Sequence, residues 1–102
     1  MIHDYKMFIF QVFLIPGTSS RTACARLRRL CGERLGETGW EIREVDLLEH
    51  PEIAAQHRIL AIPTIVRLEP TPLVRLIGDL SDEETAAHSL ELPPRPASAA
   101  SR

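Results

Sequence analysis

The residues best suited to chemistry in this 102-residue chain are two cysteines, four histidines and a run of carboxylates. Thiol–disulfide exchange needs two sulfurs within reach, one of them a stabilised thiolate at a helix N-terminus. Cys24 and Cys31 are seven apart in one helical segment. Two helical turns separate their α-carbons by about 10.5 Å, beyond the roughly 7 Å that a disulfide spans. They read as buried or half-buried helix residues, the usual behaviour of free cysteine. His3, His50, His57 and His88 show no metal-ligand spacing among themselves or with the cysteines. His50 and His57, flanking one short helix, come nearest to a shared ligand pair. Asp79, Asp82, Glu83 and Glu84 are dense enough for a catalytic or metal cluster. They coincide with a helix start, however, where carboxylates favour the dipole. No nucleophile elbow, P-loop or dinucleotide fingerprint occurs. The expectation is a protein that is not an enzyme and holds no metal or cofactor.

Composition narrows the class further. Twelve basic and 14 acidic residues give a net charge of -2, so the basic footprint of a nucleic-acid binder is missing. With 44% hydrophobic residues the chain can bury one modest core. The long apolar run, Met7 to Ile15, is too short to span a bilayer. Asp4 stands where a signal peptide carries positive charge, and Pro16-Gly17-Thr18 does not resemble a cleavage site. A cytoplasmic protein without nucleic-acid or membrane partners is expected, and two cysteines are too few for a disulfide scaffold.

The elements that must position these residues follow from apolar periodicity. Met7 to Ile15 predicts a strand buried on both faces. Ser19 or Ser20 can cap a helix running to Leu35 with Ala23, Leu27, Leu30 and Leu35 inward. Its arginines, Arg26, Arg28, Arg29 and Arg34, read as a solvated face, and Gly36 and Gly39 end it. Trp40 to Leu47 predicts a second strand whose alternation slips between Ile42 and Val45. Pro51 opens a short helix to about His57. Ile62 to Leu68 and Leu73 to Ile77 predict two more strands joined by Pro70-Thr71-Pro72. Ser81 with Glu84 fits a capping box for a last helix reaching Leu92.

The order is β-α-β-α-β-β-α, an α/β thioredoxin layout with a mixed central sheet. Its redox loop would fall at Pro16 to Ala23, where no C-x-x-C occurs. One domain over residues 1–92 is expected, followed by a disordered tail of Pro, Ala, Ser and Arg over residues 93–102. In this layout the proline before the third strand, here Pro63, is often cis. Pro63, Pro70 and Pro72 bracket one short strand, so slow X-Pro isomerisation there would keep two conformations apart kinetically.

The stretch Val45 to Glu84, VDLLEHPEIAAQHRILAIPTIVRLEPTPLVRLIGDLSDEE, resembles the KaiB clock-protein family. The matching pieces are Val45-Asp46-Leu47, His50 to Ala54, Ile59 to Thr64, Pro70 to Pro72 and Leu76 to Ser81, including Gly78 and Asp79. The resemblance implies a metamorphic protein with two topologies. One is an oligomeric ground state, dimer or tetramer, of order βαββααβ. The other is a thioredoxin-like monomer that binds the ATPase KaiC. It also implies capture of KaiA and competition with an output kinase. The residues after about Pro51 are those that change structure, which places Pro63, Pro70, Pro72, Gly78, Asp79 and Ser89 in the switching half. Ser89 stands where a typical cyanobacterial member has glycine. Serine costs a helix less, so the balance is expected to move toward the thioredoxin-like fold. The loop Pro16 to Ser20 and the tail also depart from the family pattern.

The function expected is a KaiB-like regulator that binds a KaiC-type ATPase through its first helix and second strand. Arg26, Arg29 and Arg43 are its candidate partner contacts. The alternatives are a thioredoxin-like thiol oxidoreductase and a sensory partner module of a histidine kinase.

Overall fold

An apolar strand with cover on both sides needs neighbours on both edges as well, and the first strand has them. The computed structural model describes residues 7–36 and 38–94. The elements are β1 (Phe8–Leu14), α1 (Thr18–Arg34), β2 (Trp40–Asp46), α2 (Pro51–Gln56), β3 (Thr64–Glu69), β4 (Val74–Ile77) and α3 (Glu83–Ser89). The sheet order is β2-β1-β3-β4. β1 and β2 are parallel across the α1 crossover, from Phe8 opposite Trp40 to Leu14 opposite Asp46. β3 runs antiparallel to β1, and β4 antiparallel to β3. This is the expected thioredoxin-like order rather than βαββααβ. From residue 95 onward, the tail expected over 93–102 lies outside the described residues.

The strand pleat sends alternate side chains to two unequal cores. Phe8, Phe10, Val12 and Leu14 of β1 meet Cys24, Leu27, Leu30 and Cys31 of α1, with Ala86, Ala87 and Leu90 at α3. Phe13, Leu47 and Val66 point the other way and pack with Ile53 and Ala54 of α2. Phe10, Leu27, Leu30 and Ile65 have lost all or nearly all contact with solvent; truncating any one to alanine removes about 3 kcal/mol or more. Burial of β1 on both faces is incomplete. Ile9 and Gln11 are only half-buried, because six-residue α2 covers just the end of the sheet near Phe13.

The same asymmetry explains the slip in β2. Trp40 and Ile42 pack on the α1 side, whereas Val45 packs on the α2 side. The backbone stays in continuous register with β1 throughout. What changes is the face that has a helix over it.

Two helix starts differ from expectation. α1 begins at Thr18, with Gly17 at the cap position and no capping side chain. Ser20 instead donates its hydroxyl back to the Ile15 carbonyl. After Leu35 the chain turns through Gly36 at φ +57, the left-handed conformation that glycine accepts most readily at a helix end. α3 is capped by Asp82, not Ser81: Asp82 Oδ1 accepts from the Thr85 backbone N–H at 3.1 Å. Ser81 lies one residue too early, and its N–H donates to Asp79 Oδ1 at 3.0 Å. The helix closes at Ser89, short of Leu92.

One buried cation joins these parts. Arg67 on β3 is 2% exposed. Its Nη1 donates to the Leu90 carbonyl at 2.8 Å and reaches the Glu91 carbonyl at 3.5 Å. Nη2 donates to the Pro72 carbonyl at 2.8 Å. The guanidinium carbon lies 5.9 Å from the Phe8 ring centroid, and the Glu91 carboxylate is 3.9 Å from Nη2. The last carbonyls of a helix lack intrahelical donors and carry its negative dipole end. Arg67 therefore closes the C-terminus of α3 from inside the core.

Replacing Arg67 by methionine strands those carbonyls, and should lower the unfolding free energy by about 3 kcal/mol. Urea denaturation measures this. Lysine should restore less than half of the loss, because its three N–H donors radiate from one nitrogen and cannot reproduce the planar two-nitrogen fork.

Candidate functional site

The three arginines expected to meet a partner sit on two layers. Arg26 and Arg29 project from α1 toward the start of α3. Arg26 Nη1 donates to the Asp79 carbonyl at 3.0 Å and lies 3.8 Å from its carboxylate. Arg29 pairs with Glu83. One turn further, Arg34 Nη2 pairs with Glu84 at 3.0 Å. The arginine face of α1 is thus a seam with α3 rather than the free solvated face expected from sequence. Each pair is solvent-exposed on at least one side, so each contributes little alone. Together they set how α3 seats.

Arg43 lies elsewhere. It faces the α2 side of the sheet, opposite Gln11 in the register. Its Nε donates to the Glu41 carboxylate at 2.8 Å. That bond holds Glu41 below the usual carboxylate range and raises Arg43 further. Because β2 is an edge strand, its outer backbone groups are free to meet another chain. Arg26 and Arg29 point toward α3, which packs beside β4, and so away from the β2 edge where Arg43 lies; the three arginines do not converge on one face.

The residues expected in the switching half gather around the β3–β4 hairpin and α3. The bonds before Pro63, Pro70 and Pro72 are all cis. The Pro63 carbonyl accepts from the Gly78 N–H at 3.0 Å, and Gly78 has φ +134, where a side chain would be strained. Asp79 accepts from the Ser81 N–H, which holds its carboxyl low. Ser89 is the last residue of α3. Arg67, which no periodicity singled out, connects this group to the core. The one available signal was a lone cation inside an apolar strand.

Among the described residues the chemistry-bearing side chains stay apart; His3 lies outside them. Burial is the main reason that the Cys24 thiol is pushed up to about 11, with Glu44 adding to it. Burial alone takes Cys31 to about 12. The His57 ring packs 5.3 Å from that of Phe13, while His50 stands at the N-cap position of α2 without a capping side-chain bond and sits 3.9 Å from Glu52. Among the described residues no group of three His, Cys, Asp or Glu could hold a metal ion. No helix among them is long and apolar enough to cross a membrane.

With the geometry in view, residues 15–92 match the model of the KaiB domain. The chain belongs to the KaiB family. It is 37% identical over 93 residues to the circadian clock protein KaiB3 of Synechocystis sp., covering 89% of each chain. To the circadian clock oscillator protein KaiB of Nostoc punctiforme it is 28% identical over 92 residues, 90% of this chain and 88% of that one. In solved structures the fold is similar to the N-terminal domain of Synechococcus elongatus SasA. That likeness has a TM-score of 0.70 at 14% identity, over 81% of this chain and 79% of the other. The germline thioredoxin Deadhead of Drosophila melanogaster follows at 0.62 and 17%, over 86% and 81%. At these identities the two structures speak for the fold alone. The family match includes the Val45–Glu84 stretch that first suggested it, and α1 as well.

The thiols give a direct test against thioredoxin chemistry. Native protein at pH 8 should leave both cysteines unlabelled by a thiol reagent over the time in which denatured protein reacts fully, and should not reduce insulin. Folded-state values above the ordinary 9.0 mean that stability is full below pH 9. It should fall as pH rises toward about 11 and 12, read as a declining urea midpoint.

Proposed function

We propose that this KaiB-family chain is a non-enzymatic regulator that binds a KaiC-type ATPase in the cytoplasm. The observation that carries the reading is the arrangement described above: order β2-β1-β3-β4 with α3 seated. In the family, the thioredoxin-like form is the one the resemblance assigns to ATPase binding. The buried, protonated thiols support a binding role over an oxidoreductase. The binding surface in this proposal is α1 with the β2 edge, where Arg26, Arg29 and Arg43 supply charge. KaiA or a histidine kinase would be a further partner on the same scheme, and the resting form would be a homo-oligomer exchanging with the monomer.

Charges at an interface rim act mainly on encounter and orientation. Arg43→Glu should weaken a pull-down with the cognate KaiC-type ATPase by about tenfold, while leaving the denaturation midpoint within error. Unchanged binding would remove Arg43 from the surface.

Ser89 bears on which form is populated. Ser89→Gly should lower α3 occupancy, seen as weaker amide protection over residues 83–90, because glycine costs a helix up to about 0.5 kcal/mol more than serine. A wild-type protein that scatters as a tetramer, with α3 absent by NMR, would refute the preference for the thioredoxin-like form.

A further inference from the structure

The α1 side of β2 is left uncovered at its C-terminal end, and a cavity of about 600 Å³ opens there. Its apolar lining comes from buried Leu14 and Cys24 and from exposed Pro16 and Ala25. The Cys24 thiol is buried and protonated, so it presents a neutral wall. The two long walls carry opposite charge: Arg21 and Arg28 on α1, Glu44 and Asp46 on β2. Arg28 and Glu44 satisfy each other at 3.4 Å. That leaves one cation and one anion facing the space. Arg21 is exposed, and its side chain has no partner among the described residues. Asp46 accepts the Leu48 N–H through Oδ1 at 2.8 Å, and its second oxygen has no partner among them.

A half-open cavity of this volume with an apolar lining and a few polar groups has the ordinary form of a small-molecule site. A bare anion would be repelled by Asp46, and a bare cation by Arg21. We propose that the cavity binds a small zwitterion with an apolar side group, the class of a free apolar amino acid. The α-carboxylate meets Arg21, the ammonium meets Asp46 Oδ2, and the side group lies on Leu14, Pro16, Cys24 and Ala25. The cavity lies between α1 and β2, the elements that also carry the partner surface proposed above, but its ligand is argued from the cavity lining alone.

The test titrates the full chain with L-leucine, N-acetyl-L-leucine and L-leucinamide, followed by amide chemical shifts. Leucine should give saturable shifts confined to residues 14–28 and 44–48 at millimolar concentration. Each blocked analogue should bind about tenfold more weakly, since each loses one charge-assisted contact. Arg21→Ala and Asp46→Asn should weaken leucine by the same factor. Asparagine keeps an oxygen for the Leu48 N–H, so that variant retains the β2 end. Absent or unsaturable shifts with leucine would overturn the site. Equal affinity for leucine and either analogue, or binding unchanged in both variants, would overturn the zwitterion assignment.

Discussion

A guanidinium held at 2% exposure stays in a core only if its donors find partners there. Arg67 finds them for its two terminal nitrogens in three carbonyls, those of Pro72, Leu90 and Glu91, while Nε is left without one. Those acceptors belong to the β3–β4 turn and to the end of α3, so one side chain fixes both against β3. The contact also solves a problem for α3. A helix of seven residues is too short to be stable by propensity. It persists because Asp82 closes one end, Arg67 the other, and Ala86, Ala87 and Leu90 pack beneath.

The ionic seam from α1 adds orientation to that anchoring. Arg26, Arg29 and Arg34 meet residues 79, 83 and 84 in ascending order, so the two helices have one favourable sliding position. Such pairs screen with salt, whereas the Arg67 contacts lie inside. The α3 end of the molecule is therefore held by polar contacts to a degree that the β1–α1–β2 half is not. That half rests on Phe10, Leu27 and Leu30, buried to 1% or less.

Function follows the covering of the sheet. α2 protects one end of one face; the rest of β2 is an open edge with charge before and behind it. An open edge strand flanked by charge suits recognition of another chain. Cys24 and Cys31 are buried in α1, and His57 packs on Phe13 rather than on another titratable group.

Much of this was legible in the sequence. The periods of 2 and 3.6 in apolar residues, with proline and glycine between them, determined seven elements in the right order, and Val45 to Glu84 carried the family. Short-range chemistry also showed that Cys24 and Cys31 could not pair, since helix rise alone separates them. Tertiary structure decided what depends on long-range neighbours. It chose Asp82 over Ser81 as the cap, a one-residue difference set by where α3 packs. It turned three of the α1 arginines, Arg26, Arg29 and Arg34, from a solvated face into a seam, because their partners lie 50 or more residues away. It set Arg43 behind the sheet from Arg26 and Arg29, and it buried Arg67. Periodicity records which face of an element is apolar; it does not record which other element will supply the carbonyls that let a cation be buried there.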